Sequence, residues 1–136
     1  MSVLTLAELE SLAGVRVHEH LDRECLLPVA KALVTQGDVM LRRVDSTGMS
    51  PKAQPIPRQG VEVVRGEGGN THALYGAGRY VAMTTDDELL LGLLEVREGE
   101  QAFLLHPEHG GYQIGCGVWE VRGQREWAGE WRAVAD

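Results

Sequence analysis

Lysine, cysteine and aromatic residues are all scarce in this chain. Two lysines stand beside eleven arginines, and 13 basic residues face 20 acidic ones, for a net charge of -7. That balance disfavours a general role on nucleic acid, whose phosphates demand cationic surface, although arginines could still gather locally. The only cysteines are Cys25 and Cys116, far apart and without a CxxC pair. Thiol-based zinc sites and a disulfide framework are therefore not expected, and both thiols are expected to be reduced and buried. No apolar run approaches the ~18 residues of a membrane span. "LLLGLLEV", Leu89 to Val96, is far too short. The opening "MSVLTLAELESL" lacks a basic segment followed by an apolar core, so the expected compartment is the cytoplasm. No glycine-rich stretch carries GK[ST], and no elbow motif surrounds Ser46 or Ser50, which leaves phosphate-loop and serine-nucleophile chemistry without support.

What the chain does have is glycine: 17 residues in 136, with 43% hydrophobic residues overall. A chain of this length buries about 68% of its unfolded surface on folding, enough for one core. Thr5 with Glu8 three residues on is a capping-box pattern; Leu6, Leu9 and Leu12 share a face and Gly14 supplies the stop, so a helix is expected there. "VRVHEHL", Val15 to Leu21, alternates as a short strand would, whereas "CLLPVAKALV", Cys25 to Val34, fits a helix or a buried strand equally well. Val39–Val44 is rich in β-formers, and the stretch from Asp45 to Gly60, with Pro51, Pro55 and Pro57, is expected as a surface excursion outside any central ladder.

Beyond Gly60 short strands alternate with glycine turns. Expected strands are Val61–Arg65, Thr71–Tyr75, Tyr80–Thr84, Leu89–Val96, Gln101–Leu105 and Val118–Arg122 running on towards Trp127. In the tail, Trp127 and Trp131 sit four apart, as on a helix face. The expected fold is mainly β: a small antiparallel barrel or sandwich with an N-terminal helix. Residues 1–35 would form a helical extension and residues 36–136 the β-domain.

Chemistry concentrates on the histidines. His18 and His20 would lie on one side of a strand, where an exposed polar face is the simpler reading. Asn70 and His72 stand one residue apart at a strand edge, and "LLHPEHGGY" carries His106, Glu108 and His109. A β-fold that brings Asn70, His72, His106 and His109 to one mouth offers three imidazoles and an oxygen donor, a set suited to zinc, iron or manganese. Glu108 is then the candidate for acid–base work. The plainer alternative ends a strand at His106, breaks it at Pro107 and leaves a solvated turn. Arg122 and Arg125 beside Trp119 and Trp127 are candidates for stacking on a nucleotide.

The segments "QGDVMLRRV", "VVRGEGGNTHAL" and "LLHPEHGGYQIGCGVWEVRGQREW" together resemble a loosely defined group of small bacterial and phage-encoded proteins. Its members share a QGDV opening, a glycine–glutamate turn leading to histidine-x-histidine, and an EH…G.Y.V..QREY end. The resemblance spans Gln36 to Trp127. It places His72 at the second histidine, Glu108-His109 at the EH pair and Gln124-Arg125-Glu126-Trp127 at the QREY end. Asn70 replaces the first histidine in a turn one residue shorter, and Trp119 replaces a tyrosine. The resemblance implies an all-β fold and no particular reaction. The histidine pattern also has a faint likeness to cupins, which hold a metal inside a double-stranded β-helix. The first expectation for function is an accessory or protein-interaction domain, with a protein partner or a second copy at an open edge. A metal-dependent enzyme and a nucleotide or nucleic-acid adaptor are the alternatives.

Overall fold

Thr5 begins helix α1 (Leu6–Ala13) as its spacing to Glu8 predicts. Its hydroxyl accepts from the Glu8 amide, and the Glu8 carboxylate accepts from the Thr5 amide in return. Gly14, at φ 68°, ends the helix in the left-handed conformation. The computed structural model describes residues 3–45, 49–65, 70–127 and 131–133. The expected 66–69 turn, Ser46 and the side chains of Arg125, Trp127 and Trp131 lie outside what is described.

Thirteen described strands follow: β1 (Val29–Ala30), β2 (Leu33–Gln36), β3 (Val39–Val44), β4 (Gln54–Pro55), β5 (Val61–Arg65), β6 (Thr71–Gly76), β7 (Arg79–Ala82), β8 (Leu90–Val96), β9 (Ala102–His106), β10 (Gly110–Ile114), β11 (Gly117–Gly123), β12 (Arg125–Trp127) and β13 (Trp131–Ala133). They form a five-stranded sheet ordered β1-β10-β9-β6-β5 and a six-stranded sheet ordered β2-β3-β11-β8-β7-β4, with β12 and β13 as a separate pair. Every pairing is antiparallel except β1 with β10. The architecture is sandwich-like, with the helix outside the five-stranded sheet.

Three layers explain why the strand pattern is uneven. Between the sheets lie Val39, Leu41, Leu74, Leu94, Leu104, Ile114 and Trp119. Between the five-stranded sheet and the N-terminal segment lie Leu6, Leu9, Val17, Leu27, Ala73, Tyr75, Phe103 and Leu105. Strand β9 is therefore buried on both faces, which is why "AFLLH" is a continuous apolar run instead of an alternating one. Burial of each large side chain here contributes about 1.5–3 kcal/mol. Trp119 is wholly buried and donates its indole N–H to the Gly115 carbonyl at 2.9 Å.

Several local expectations are corrected. Val15–Leu21 forms no strand: Glu10 accepts from the Val17 amide at 2.8 Å and Arg23 donates to its carbonyl, so side chains take the place of a ladder. The ambiguous Cys25–Val34 stretch is extended, with β1 crossing into β2. Trp127 faces Trp131 across a strand pair, not along a helix. Cys25 and Cys116 are both exposed, not buried. Pro55 joins a ladder after all, but only at the sheet edge, where a missing amide is tolerated.

The helix reaches the sheet over Gly111. A Cβ at that position would stand 2.6 Å from a methyl of Leu9 and 3.2 Å from one of Leu27, both buried. Substituting Gly111→Ala overpacks this contact and is expected to cost about 1–3 kcal/mol. Urea unfolding would show a lower midpoint at unchanged slope.

Candidate functional site

His72 and His106 come from neighbouring strands. Ala73 lies opposite Leu105 in the β6–β9 pairing, and the same register one residue further sets His72 opposite His106. Both side chains are fully buried at one end of the space between the sheets. Their ring centroids are 4.2 Å apart, and the ring of His109 lies 4.5 Å from His106 and 6.0 Å from His72. The three imidazoles make a fan that runs from the interior to the exposed His109 on the β9–β10 turn.

The opposite sheet supplies the rest. Strands β2 and β3 join through a two-residue turn, Gly37-Asp38, with Gln36 paired to Val39. Gly37 has φ 56° and, among the described residues, no non-glycine residue has positive φ, as a type II′ hairpin requires. Gln36, 2% exposed, spans the gap between the sheets. Its amide nitrogen donates to the Gly110 carbonyl at 2.9 Å, which turns its oxygen towards His72 Nδ1, also at 2.9 Å. That oxygen can only accept, so His72 carries a proton on Nδ1.

On the other side of the ring, His72 Nε2 lies 2.8 Å from Asp38 Oδ1. The two atoms are at ion-pair distance. The turn holding Asp38 is clamped from the residue just after β11: Gln124 donates from its side chain to the Gly37 carbonyl at 2.6 Å and from its backbone to that of Asp38 at 3.0 Å.

His106 has the opposite protonation. Its Nδ1 accepts the backbone amides of Glu108 and His109 at 3.1 and 3.2 Å, which places the proton of the neutral ring on Nε2. The ring thus shapes the turn that presents His109. The Glu108 side chain is exposed, and its carbonyl accepts from His20 Nε2 at 3.0 Å.

Among the expected site residues, His72, His106 and His109 therefore come together. Asn70 lies half-buried just before β6, two positions from His72. His18 and His20 form a separate exposed pair with centroids 6.0 Å apart. Among the described residues, no group of three or more His, Cys, Asp or Glu stands in an arrangement that could hold a metal ion. Of the stacking candidates, Trp119 is enclosed in the core, and Arg122 is held by Asp87 at 2.7 Å and Glu120 at 3.3 Å. The Arg122 hydrogen bond is the main reason the Asp87 carboxyl sits below its ordinary pKa. Sequence reasoning missed Gln36 and Asp38 as site residues. The signal that could have found them was the glycine turn in "QGDV", set between two β-patterned segments.

Residues 35–124 match the family model described as Domain of unknown function (DUF8820). The chain belongs to that family. The matched stretch runs from the residue before Gln36 to Gln124, and so takes in Gln36, Asp38, His72, His106, His109 and Gln124. No curated protein and no solved structure matches the chain. The QGDV-type resemblance agrees with a family whose role is unassigned. Among the described residues, no helix is long and apolar enough to cross a membrane.

The inter-sheet link has a measurable energy. Gln36→Leu keeps the volume but leaves the Gly110 carbonyl and the His72 Nδ1–H without this partner in a buried setting. Chemical denaturation is expected to show a loss of about 1–3 kcal/mol. A neutral result would mean that the link adds nothing to stability.

Proposed function

We propose that this chain is an accessory binding domain that takes a divalent transition-metal ion at the histidine end of the sandwich. His72 Nε2 and the Asp38 carboxylate would be the first donors and the exposed His109 the third. His106 would position the turn, and Asn70 would be an additional oxygen donor. The observation that carries the reading is the 2.8 Å approach of His72 Nε2 to Asp38 Oδ1. Two donors at bond lengths near 2.0–2.1 Å on one ion stand roughly 2.9 Å apart at octahedral angles and about 3.3 Å apart at tetrahedral ones. The Nδ1–H of His72 bound to the Gln36 carbonyl is the outer contact that metal-ligating histidines typically make, since it fixes the ring and leaves Nε2 as the donor. Mixed imidazole and carboxylate donors favour zinc, iron(II) or manganese over calcium or magnesium.

The test is elemental analysis and calorimetric titration with zinc and manganese on protein purified without a histidine tag. Stoichiometric uptake is expected in the native chain and none in Asp38→Asn or His109→Ala, with circular dichroism checking that each variant keeps the native fold. Absence of uptake by the native chain would refute the site.

A second copy of the chain is the partner this reading favours. Strands β1 and β2 are the edges of the two sheets on one flank, linked by Lys31-Ala32. Beside them Leu26, Val29 and Leu33 are 65%, 37% and 56% exposed. An exposed apolar edge pairs readily with an identical edge. Light scattering should give a dimer for the native chain and a monomer for Leu33→Glu; a monomeric native chain would contradict this assignment.

A further inference from the structure

The "HEH" motif, His18 to His20, has no part in the donor set proposed above, yet it lies against the turn that carries His109. That turn, Pro107-Glu108-His109, joins β9 to β10 and is held from two sides. From inside the sandwich, His106 Nδ1 accepts the Glu108 and His109 amides. From outside, the segment after α1 engages the carbonyls. The His18 amide donates to the Pro107 carbonyl at 2.8 Å, and His20 Nε2 donates to the Glu108 carbonyl at 3.0 Å. A carbonyl only accepts, so His20 carries its proton on Nε2.

The segment is anchored where it makes these contacts. The Leu21 amide donates to the His18 carbonyl at 3.2 Å, which closes a tight turn around His20. A methyl of Leu21 lies 4.0 Å from where a Cβ on Gly110 would stand, and Leu9 and Leu27 pack over Gly111 next to it. The N-terminal segment thus grips the β9–β10 hairpin both at its turn and at its first two residues. His18 and His20 lie outside the matched stretch 35–124, whereas the turn they hold lies inside it.

We infer that His20 is a positioning residue for His109. Through the Glu108 carbonyl it fixes the backbone from which the exposed imidazole of His109 reaches the ion, so that less orientational freedom is lost on binding. His18 acts through its backbone alone, and its side chain is dispensable. The inference rests on the metal reading for its consequence. Coupling of this kind is reciprocal, so an ion on His109 also tightens the N-terminal segment on the hairpin.

The test compares the full native chain with His20→Ala, His20→Gln and His18→Ala, using zinc as the probe. His20→Ala should bind zinc about fivefold more weakly, the factor that one net hydrogen bond represents. His20→Gln, whose amide can donate to the same carbonyl, should restore the affinity, and His18→Ala should leave it unchanged. In the metal-free chain, NMR should show faster hydrogen exchange of the Glu108 and His109 amides in His20→Ala, with Leu104 and Val121 at native rates. Unchanged zinc affinity in His20→Ala, or no rescue by His20→Gln, would overturn the assignment. An equal loss in His18→Ala would also overturn it, by making the pair ligands in its own right. A native chain that takes up no zinc would refute the metal site, and the exchange rates alone would then decide whether His20 holds the turn: unchanged exchange sinks the contact as well.

Discussion

The Gln36 side chain is the contact on which the histidine end depends. One amide spans the two sheets, giving a proton to the Gly110 carbonyl and accepting one from His72. With its nitrogen committed to Gly110, the oxygen has a single orientation, and the protonation of His72 follows. The Gly110 carbonyl in turn belongs to the turn that His106 shapes from within. A buried glutamine is stable only when its donors and acceptors are met, so the network is specified as a unit.

Much of the fold was legible because its signals are local. Thr5, Glu8 and Gly14 mark the helix within ten residues of one another, and the glycine turns after Gly60 divide the strands close to where they occur. Where the local pattern misled, a tertiary contact had displaced it. Val17 alternates as in a strand, yet Glu10 and Arg23 satisfy its backbone. The Trp127 and Trp131 spacing suits a helix, yet the two residues face each other across a strand pair.

The candidate site was legible only in part. Bringing His72, His106 and His109 together needed just the expectation of adjacent strands. The contribution of Gln36 and Asp38 comes from the opposite sheet, 36 residues from His72 in the case of Gln36, and no spacing rule reaches that far. The two histidines also differ in a way that sequence does not encode. His106 spends Nδ1 on two backbone amides, whereas His72 offers its Nδ1 proton to a side chain across the sandwich. The family match, ending at Gln124, encloses both the hairpin and the residue that clamps it.

The central claim is that one polar network gives two neighbouring imidazoles opposite protonation at Nδ1. Long-range nitrogen–proton NMR of the histidine rings at neutral pH measures this directly. His72 should be protonated at Nδ1, and His106 should be protonated at Nε2 with a bare Nδ1. The reverse assignment, or two rings averaging between tautomers, would contradict it.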